Sequence, residues 1–191
     1  MLFVVYRYLI PAMWIAWGAY WWAMSRDVKA TLRRESFRSR LLHLVPLAVA
    51  VGLLWHPNVQ LPWLGMRILP RAAWTFWTGA ALTLAGLLFS VSARMYLGRN
   101  WSAVVTLKLN HELVTTGPYG VVRHPIYSGL LLAFIGSAIA SGEAGGFVAL
   151  AMVILALWRK LRIEEGWMRE QFGEAYVDYS RRVAALVPFL F

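Results

Sequence analysis

Two pairs of adjacent ionisable residues could act together: Arg123 with His124, and Glu164 with Glu165. Pro125 follows the first pair, and proline suits the first position of a helix because its missing N–H would be unpaired there anyway. Arg123 and His124 therefore stand at the mouth of the apolar stretch that begins at residue 126. For the second pair, Leu161, Met168, Phe172, Ala175 and Tyr179 form one helical stripe. At about 100° per residue both glutamates fall within roughly 60° of its centre. Carboxylates on an apolar side are costly without a cation or hydrogen-bond donor, so a nearby Arg or a bound cation is expected. The less specific readings are a lipid-phosphate anchor for Arg123, an interfacial cap for His124, and surface pairing of the glutamates with Arg162 and Arg169.

Other chemistries are excluded by residue type. The chain has no Cys, which removes disulfides, iron–sulfur ligation, thiolate zinc sites and a cysteine nucleophile. Its four His (43, 56, 111 and 124) show no HExxH spacing, so no metal is expected. GxGxxG, GxxxxGK[ST] and GxSxG are absent, which argues against the soluble dinucleotide fold, the phosphate-cradling loop and the serine nucleophile elbow.

The elements that must hold these residues are membrane helices. Composition is 60% hydrophobic and 15% charged, with 11 Trp, 8 Tyr and 9 Phe, a balance that excludes an ordinary soluble enzyme. Apolar stretches fall at 9–24, 41–55, 72–93, 126–140 and 146–158. All but the third are shorter than the roughly 20 residues of a perpendicular span. Arg7 and the lack of a cleavage-like site argue that the first is retained rather than a signal peptide. Small residues in the last two (Gly129, Gly136, Ser137, Ala138, Ala140, Ala149, Ala151) and the turn over 141–145 predict a close antiparallel hairpin between them. The net charge of +10 reads as topology rather than nucleic-acid binding, because no basic run is interleaved with stacking aromatics. With five spans and the N-terminus outside, 16 of the 19 Lys and Arg lie on the cytoplasmic side. The expected fold is an all-α polytopic bundle of about five transmembrane helices with a cytoplasmic C-terminal amphipathic helix. It is read as one membrane-embedded domain: three N-terminal spans in 1–97 and a catalytic part in 98–191.

The run HELVTTGPY over 111–119, the RHPIY element over 123–127, and the tail with Glu164, Glu165, FGEAY over 172–176, Tyr179, Arg182, Val183, Pro188 and Phe189 resemble the isoprenylcysteine carboxyl methyltransferase family. The resemblance covers about half the chain, from Gly98 onward; the first two spans match only in hydropathy. It implies an integral-membrane enzyme using S-adenosylmethionine, with a cytoplasmic cofactor pocket built from the segment before the fourth span and from the tail. Carried over by position, Thr106, His111, Glu112, Leu113, Val114, Tyr119, His124, Pro125, Ile126, Tyr127 and Glu164 would line the cofactor. Arg123 would join His124 beside the cofactor's carboxylate. The family also places a cation just before the tail glutamate, a role open to Lys160 or Arg162.

The residues agree with methyl transfer. Displacement at a sulfonium by a carboxylate needs alignment and a dry site more than acid–base help. Lys160 or Arg162 would then clamp an acceptor carboxylate, with Arg162 favoured because its planar fork suits a carboxylate better than an ammonium does. An amine acceptor, as in a phospholipid N-methyltransferase, would instead need a general base, for which Glu165 is the candidate. A sterol-type membrane reductase is the third reading. The expected partners are a lipophilic isoprenoid or lipid substrate and membrane lipids.

Overall fold

A computed structural model of the chain describes residues 2–25, 31–55, 61–98, 101, 106–108 and 113–188. Among these, the helices α1 (Leu2–Met24), α2 (Phe37–Trp55), α3 (Ala73–Leu97), α4 (Pro125–Ser141), α5 (Ala144–Phe172) and α6 (Glu174–Arg182) follow in order. Two short strands, β1 (Thr31–Arg34) and β2 (Thr106–Lys108), pair antiparallel. This ribbon is an addition to the all-α plan, and it ties the basic loop after α1 to the segment preceding α4. Phe37–Leu54, Ala73–Leu97 and Ala144–Phe172 are each long and apolar enough to cross a membrane, while Pro125–Ser141 is a shorter apolar helix. Trp22, Trp74, Leu88 and Leu155 point outward, an apolar surface suited to lipid.

The small residues of α4 serve two neighbours: Ala138 meets Gly146 of α5, as the expected hairpin requires, while the glycines of α4 face another helix. Gly129 and Gly136 pack against α3, where Gly79 and Gly86 repeat the same seven-residue spacing. A Cβ on Gly79 would lie 2.5 Å from Gly136 O, and one on Gly129 would lie 2.6 Å from Gly86 O, so the two backbones touch. In lipid such close approach replaces the hydrophobic drive that water would supply. Hydroxyls complete the seam. Thr83 Oγ1 of α3 lies 3.3 Å from both Ala133 O and Ser137 Oγ of α4, the Trp14 indole donates to Ser137 Oγ (3.0 Å), and the Trp17 indole donates to Ser90 Oγ (2.8 Å), which docks α1 on α3 and α4. The turn over 141–145 forms as expected, with Gly142 left-handed at φ +65°.

α5 packs its buried Ala149, Val153, Leu157 and Leu161 into the core with Ala50 of α2 and Tyr127 and Phe134 of α4. The tail is not one continuous helix, as the stripe had implied. Gly173, at φ +53°, ends α5 and starts α6. Tyr176 and Tyr179 then turn inward, whereas Ala175 is exposed. Only a glycine takes this backbone conformation without strain.

Candidate active site

α4 and α5 lie side by side with Arg123 and His124 directly before the first turn of α4, which sets them opposite Glu164 and Glu165 of α5. The two glutamates then diverge. Glu165 is buried and receives Arg123 Nε at 2.8 Å and Nη2 at 2.6 Å, both on Oε1. His124 Nε2 lies 3.3 Å from the same oxygen, and Arg169 Nη2 lies 3.4 Å from Oε2. Arg123 Nη1 donates to the carbonyls of Ser180 (3.0 Å) and Val183 (2.5 Å) at the end of α6. The following segment is drawn in alongside: Arg123 N donates to Ala184 O, His124 N to Ala185 O, and Ser128 Oγ to Leu186 O. Arg123 is therefore neither a lipid anchor nor a spare cation. It clasps the tail to α5.

Glu164 faces a cavity of about 330 Å³. Its Oε1 accepts from Tyr127 Oη at 2.5 Å, with Lys160 Nζ 4.0 Å away, and its Oε2 lies 3.7 Å from His124 Nδ1. The rings of His124 and Tyr127 stack in parallel, 5.4 Å apart, and the Lys160 ammonium sits 5.3 Å from the Tyr127 ring. Trp17, Trp21, Leu47, Phe134 and Leu157 form much of the apolar wall. Trp101 closes one side, in contact with Trp21 and under the guanidinium of buried Arg94 at 4.5 Å.

The loop before α4 is shaped by Gly117. Its φ of +58° and its fit against the Tyr96 ring leave no room for a side chain. This brings Tyr119 to the cavity, where Tyr179 Oη donates to its carbonyl at 2.6 Å. Burial, reinforced by Glu164, raises the Tyr119 phenol above its ordinary value. Burial likewise pushes Tyr179 up to about 12, with Arg123 pulling the other way. Both phenols remain protonated donors near neutrality.

Of the residues singled out from sequence, Leu113, Val114, Tyr119, Arg123, His124, Ile126, Tyr127, Lys160 and Glu164 line this cavity. Pro125 is buried at the first turn of α4. Glu165 stands behind the wall, in the clasp. Arg162 is exposed, its guanidinium 5.9 Å from the Trp158 ring, so Lys160 is the tail cation that reaches the cavity. Half a turn of helix separates inward-facing Lys160 from outward-facing Arg162, whereas the i, i+4 spacing of Lys160 and Glu164 puts these two on one face. Thr106 belongs to β2, and its side chain lies outside the description; His111 and Glu112 lie outside the described residues. Among the described residues there is no cluster of three or more His, Cys, Asp or Glu able to hold a metal.

The sequence reading missed the α2 side of the cavity. His43 lines it, buried, beside Leu44 and Leu47. Arg159 Nη1 lies 3.1 Å from His43 Nδ1, Arg159 Nη2 donates to Ser39 Oγ at 2.7 Å, and Ser39 Oγ donates to buried Glu35 at 2.5 Å. The i, i+4, i+8 spacing of Glu35, Ser39 and His43 was the available signal.

A family model described as phospholipid methyltransferase matches residues 74–175, which takes in α3, the cavity loop, the α4–α5 pair and the start of α6. The chain belongs to the phospholipid methyltransferase family. It is similar to protein-S-isoprenylcysteine O-methyltransferase B of Arabidopsis thaliana, 30% identical over 118 residues, which is 59% of this chain and 58% of that one. It is also similar to the protein-S-isoprenylcysteine O-methyltransferase of Schizosaccharomyces pombe, 32% identical over 105 residues, covering 52% and 43%. A third relative is the nickel-cobalt-cadmium resistance protein NccN of Alcaligenes xylosoxydans xylosoxydans, 34% identical over 117 residues, covering 60% and 53%. The matches thus span about half the length of these relatives. The resemblance seen in the motifs is met by relatives that carry the isoprenylcysteine O-methyltransferase name, and membership in this family implies a methyl donor.

Proposed function

We propose that the chain transfers a methyl group from S-adenosylmethionine to the carboxylate of a lipophilic, prenylcysteine-like acceptor within the membrane. The observation that carries this reading is the meeting of Glu164, Tyr127, His124 and Lys160 at one edge of a cavity whose other walls are aromatic and aliphatic. The donor set fits the cofactor. Its ammonium would find the Glu164 carboxylate, its carboxylate the His124 ring, and its adenine the faces of Tyr119, Leu113, Val114 and Ile126. Once bound, the cofactor supplies an electrophilic methyl on sulfur. Tyr127 orients Glu164, and Arg123 and Pro125 fix the start of α4. Lys160 supplies the cation for the acceptor carboxylate, and the tryptophan wall excludes water and receives the isoprenoid.

The family description raises an amine acceptor as the second reading. An ammonium must lose a proton before it attacks. The candidate base, Glu165, already accepts from Arg123 on one oxygen and from Arg169 on the other, which supports the carboxylate. We further propose five membrane crossings, with the N-terminus outside and α6 as an amphipathic helix on the cytoplasmic side. The N-terminal spans and the catalytic part form one domain. Reporter fusions at the two ends should then read opposite sides of the membrane.

The deciding experiment offers membranes carrying the chain radiolabelled S-adenosylmethionine with either N-acetyl-S-farnesylcysteine or phosphatidylethanolamine. Base-labile label on the farnesyl acid, at a rate nearly flat from about pH 6 to 8 because the acid is already ionised, is the expected result. Base-stable label on phosphatidylethanolamine, rising with pH, would overturn the carboxylate reading.

A further inference from the structure

We propose that His43 selects an anionic acceptor by donating a hydrogen bond from Nε2 to its carboxylate, opposite Lys160 and Glu164. The inference rests on the carboxylate reading and deepens it. His43 lies on α2, outside the stretch that the family model matches. It nevertheless lines the same cavity as Lys160 and Glu164 of α5.

The tautomer carries the argument. Arg159 Nη1 lies 3.1 Å from His43 Nδ1. A guanidinium can only donate, so Nδ1 is the acceptor and the ring proton of the neutral imidazole sits on Nε2. Among the described residues Nε2 makes no hydrogen bond. Glu35 Oε2, at 3.8 Å, is beyond hydrogen-bond length. The imidazole is 2% exposed and held from behind by Arg159, which Ser39 and Glu35 hold in turn.

Held this way, His43 is a donor and not a base. Its one lone pair is already used by Arg159, so it cannot take a proton from an ammonium, whereas it can hydrogen-bond a carboxylate oxygen. The charges agree: Arg159 and Lys160 offset Glu35 and Glu164, so an incoming carboxylate does not meet an uncompensated negative wall.

Two conservative substitutions separate donation to the acceptor from simple support of Arg159. His43→Asn places an amide oxygen near the Nδ1 position and removes the distal N–H. His43→Gln places an amide N–H near Nε2. The measurement is equilibrium binding of N-acetyl-S-farnesylcysteine and of its carboxamide to the full chain in detergent, read by quenching of the cavity tryptophans. S-adenosylmethionine binding serves as the check on folding. The unsubstituted protein should bind the acid roughly tenfold or more tightly than the amide. His43→Asn should cut that ratio severalfold, leaving the share that Lys160 contributes, and His43→Gln should keep most of it. If His43→Asn keeps the ratio, or loses S-adenosylmethionine binding, the role is support of Arg159 and the inference is wrong, while the carboxylate reading stands. If the unsubstituted protein shows no preference for the acid, both fall together.

Discussion

Around Arg123 and Glu165 the polar groups are spent on one another, whereas around Glu164 and Lys160 they gather at the rim of a cavity. All three guanidinium nitrogens of Arg123 donate, and both oxygens of Glu165 accept. A pair matched this way makes a joint: it fastens α5, α6 and the segment after α6 to the start of α4. Glu164, one residue earlier, keeps an oxygen 3.7 Å from its nearest ionic partner, His124. Adjacent carboxylates of the same chemistry thus divide into one that holds the site together and one that can hold a ligand. His124, within reach of both, joins the two regions.

The comparison breaks first if the joint is dispensable. Arg123→Met leaves Glu165 buried beside only His124 and Arg169, and loss of one partner of a buried pair costs about 3–5 kcal/mol. Thermal unfolding in detergent should show that loss, and an unchanged midpoint would mean that the tail is held by other contacts. A smaller effect sharpens the cavity side. Lys160→Met should weaken binding of N-acetyl-S-farnesylcysteine roughly tenfold, while Arg162→Met, at an exposed position, should change stability by less than about 0.5 kcal/mol and leave binding intact. The reverse order would restore Arg162 as the clamp. The smallest effect tests the seam between the regions. Tyr179→Phe removes the hydrogen bond to Tyr119 O, worth about 0.5–1.5 kcal/mol. Because folding raises the Tyr179 phenol to about 12 from an ordinary value near 10, its contribution is complete below about pH 10 and is lost as pH climbs through 12. Alkaline melting curves of Tyr179→Phe should therefore be flatter over that interval than those of the unsubstituted chain.

The parts of the site that were legible in the sequence are those in which local rules and final contacts agree. Pro125 announced the start of α4, and Gly142 the turn into α5. RHPIY and the paired glutamates declared a polar meeting point at one end of the bundle. The partition between Glu164 and Glu165 was not legible, because one helical step of 100° decides it and the apolar stripe places both on the same side. The stripe itself ran past Gly173, where the backbone breaks. Arg162 was the favoured clamp for its planar fork, but Trp158 and the outer face claim it. The α2 wall was hidden for another reason. Glu35, Ser39 and His43 gain meaning only when Arg159 reaches them across more than a hundred residues of chain. Likewise, Gly129 and Gly136 read as facing the next helix in sequence, whereas the matching spacing of Gly79 and Gly86 brings them against α3.

The most direct test of this division of labour is the shift in unfolding midpoint on adding S-adenosylmethionine, measured side by side for the unsubstituted chain, Glu164→Gln and Glu165→Gln. Glu164→Gln should unfold close to the unsubstituted protein without cofactor, but should need ten- to a hundredfold more cofactor for the same shift, as expected for the loss of a charge-assisted hydrogen bond of about 1.5–3 kcal/mol. Glu165→Gln should unfold earlier without cofactor, yet gain the usual shift at the usual concentration while folded. Equal behaviour of the two variants, in base stability and in cofactor response alike, would contradict the account.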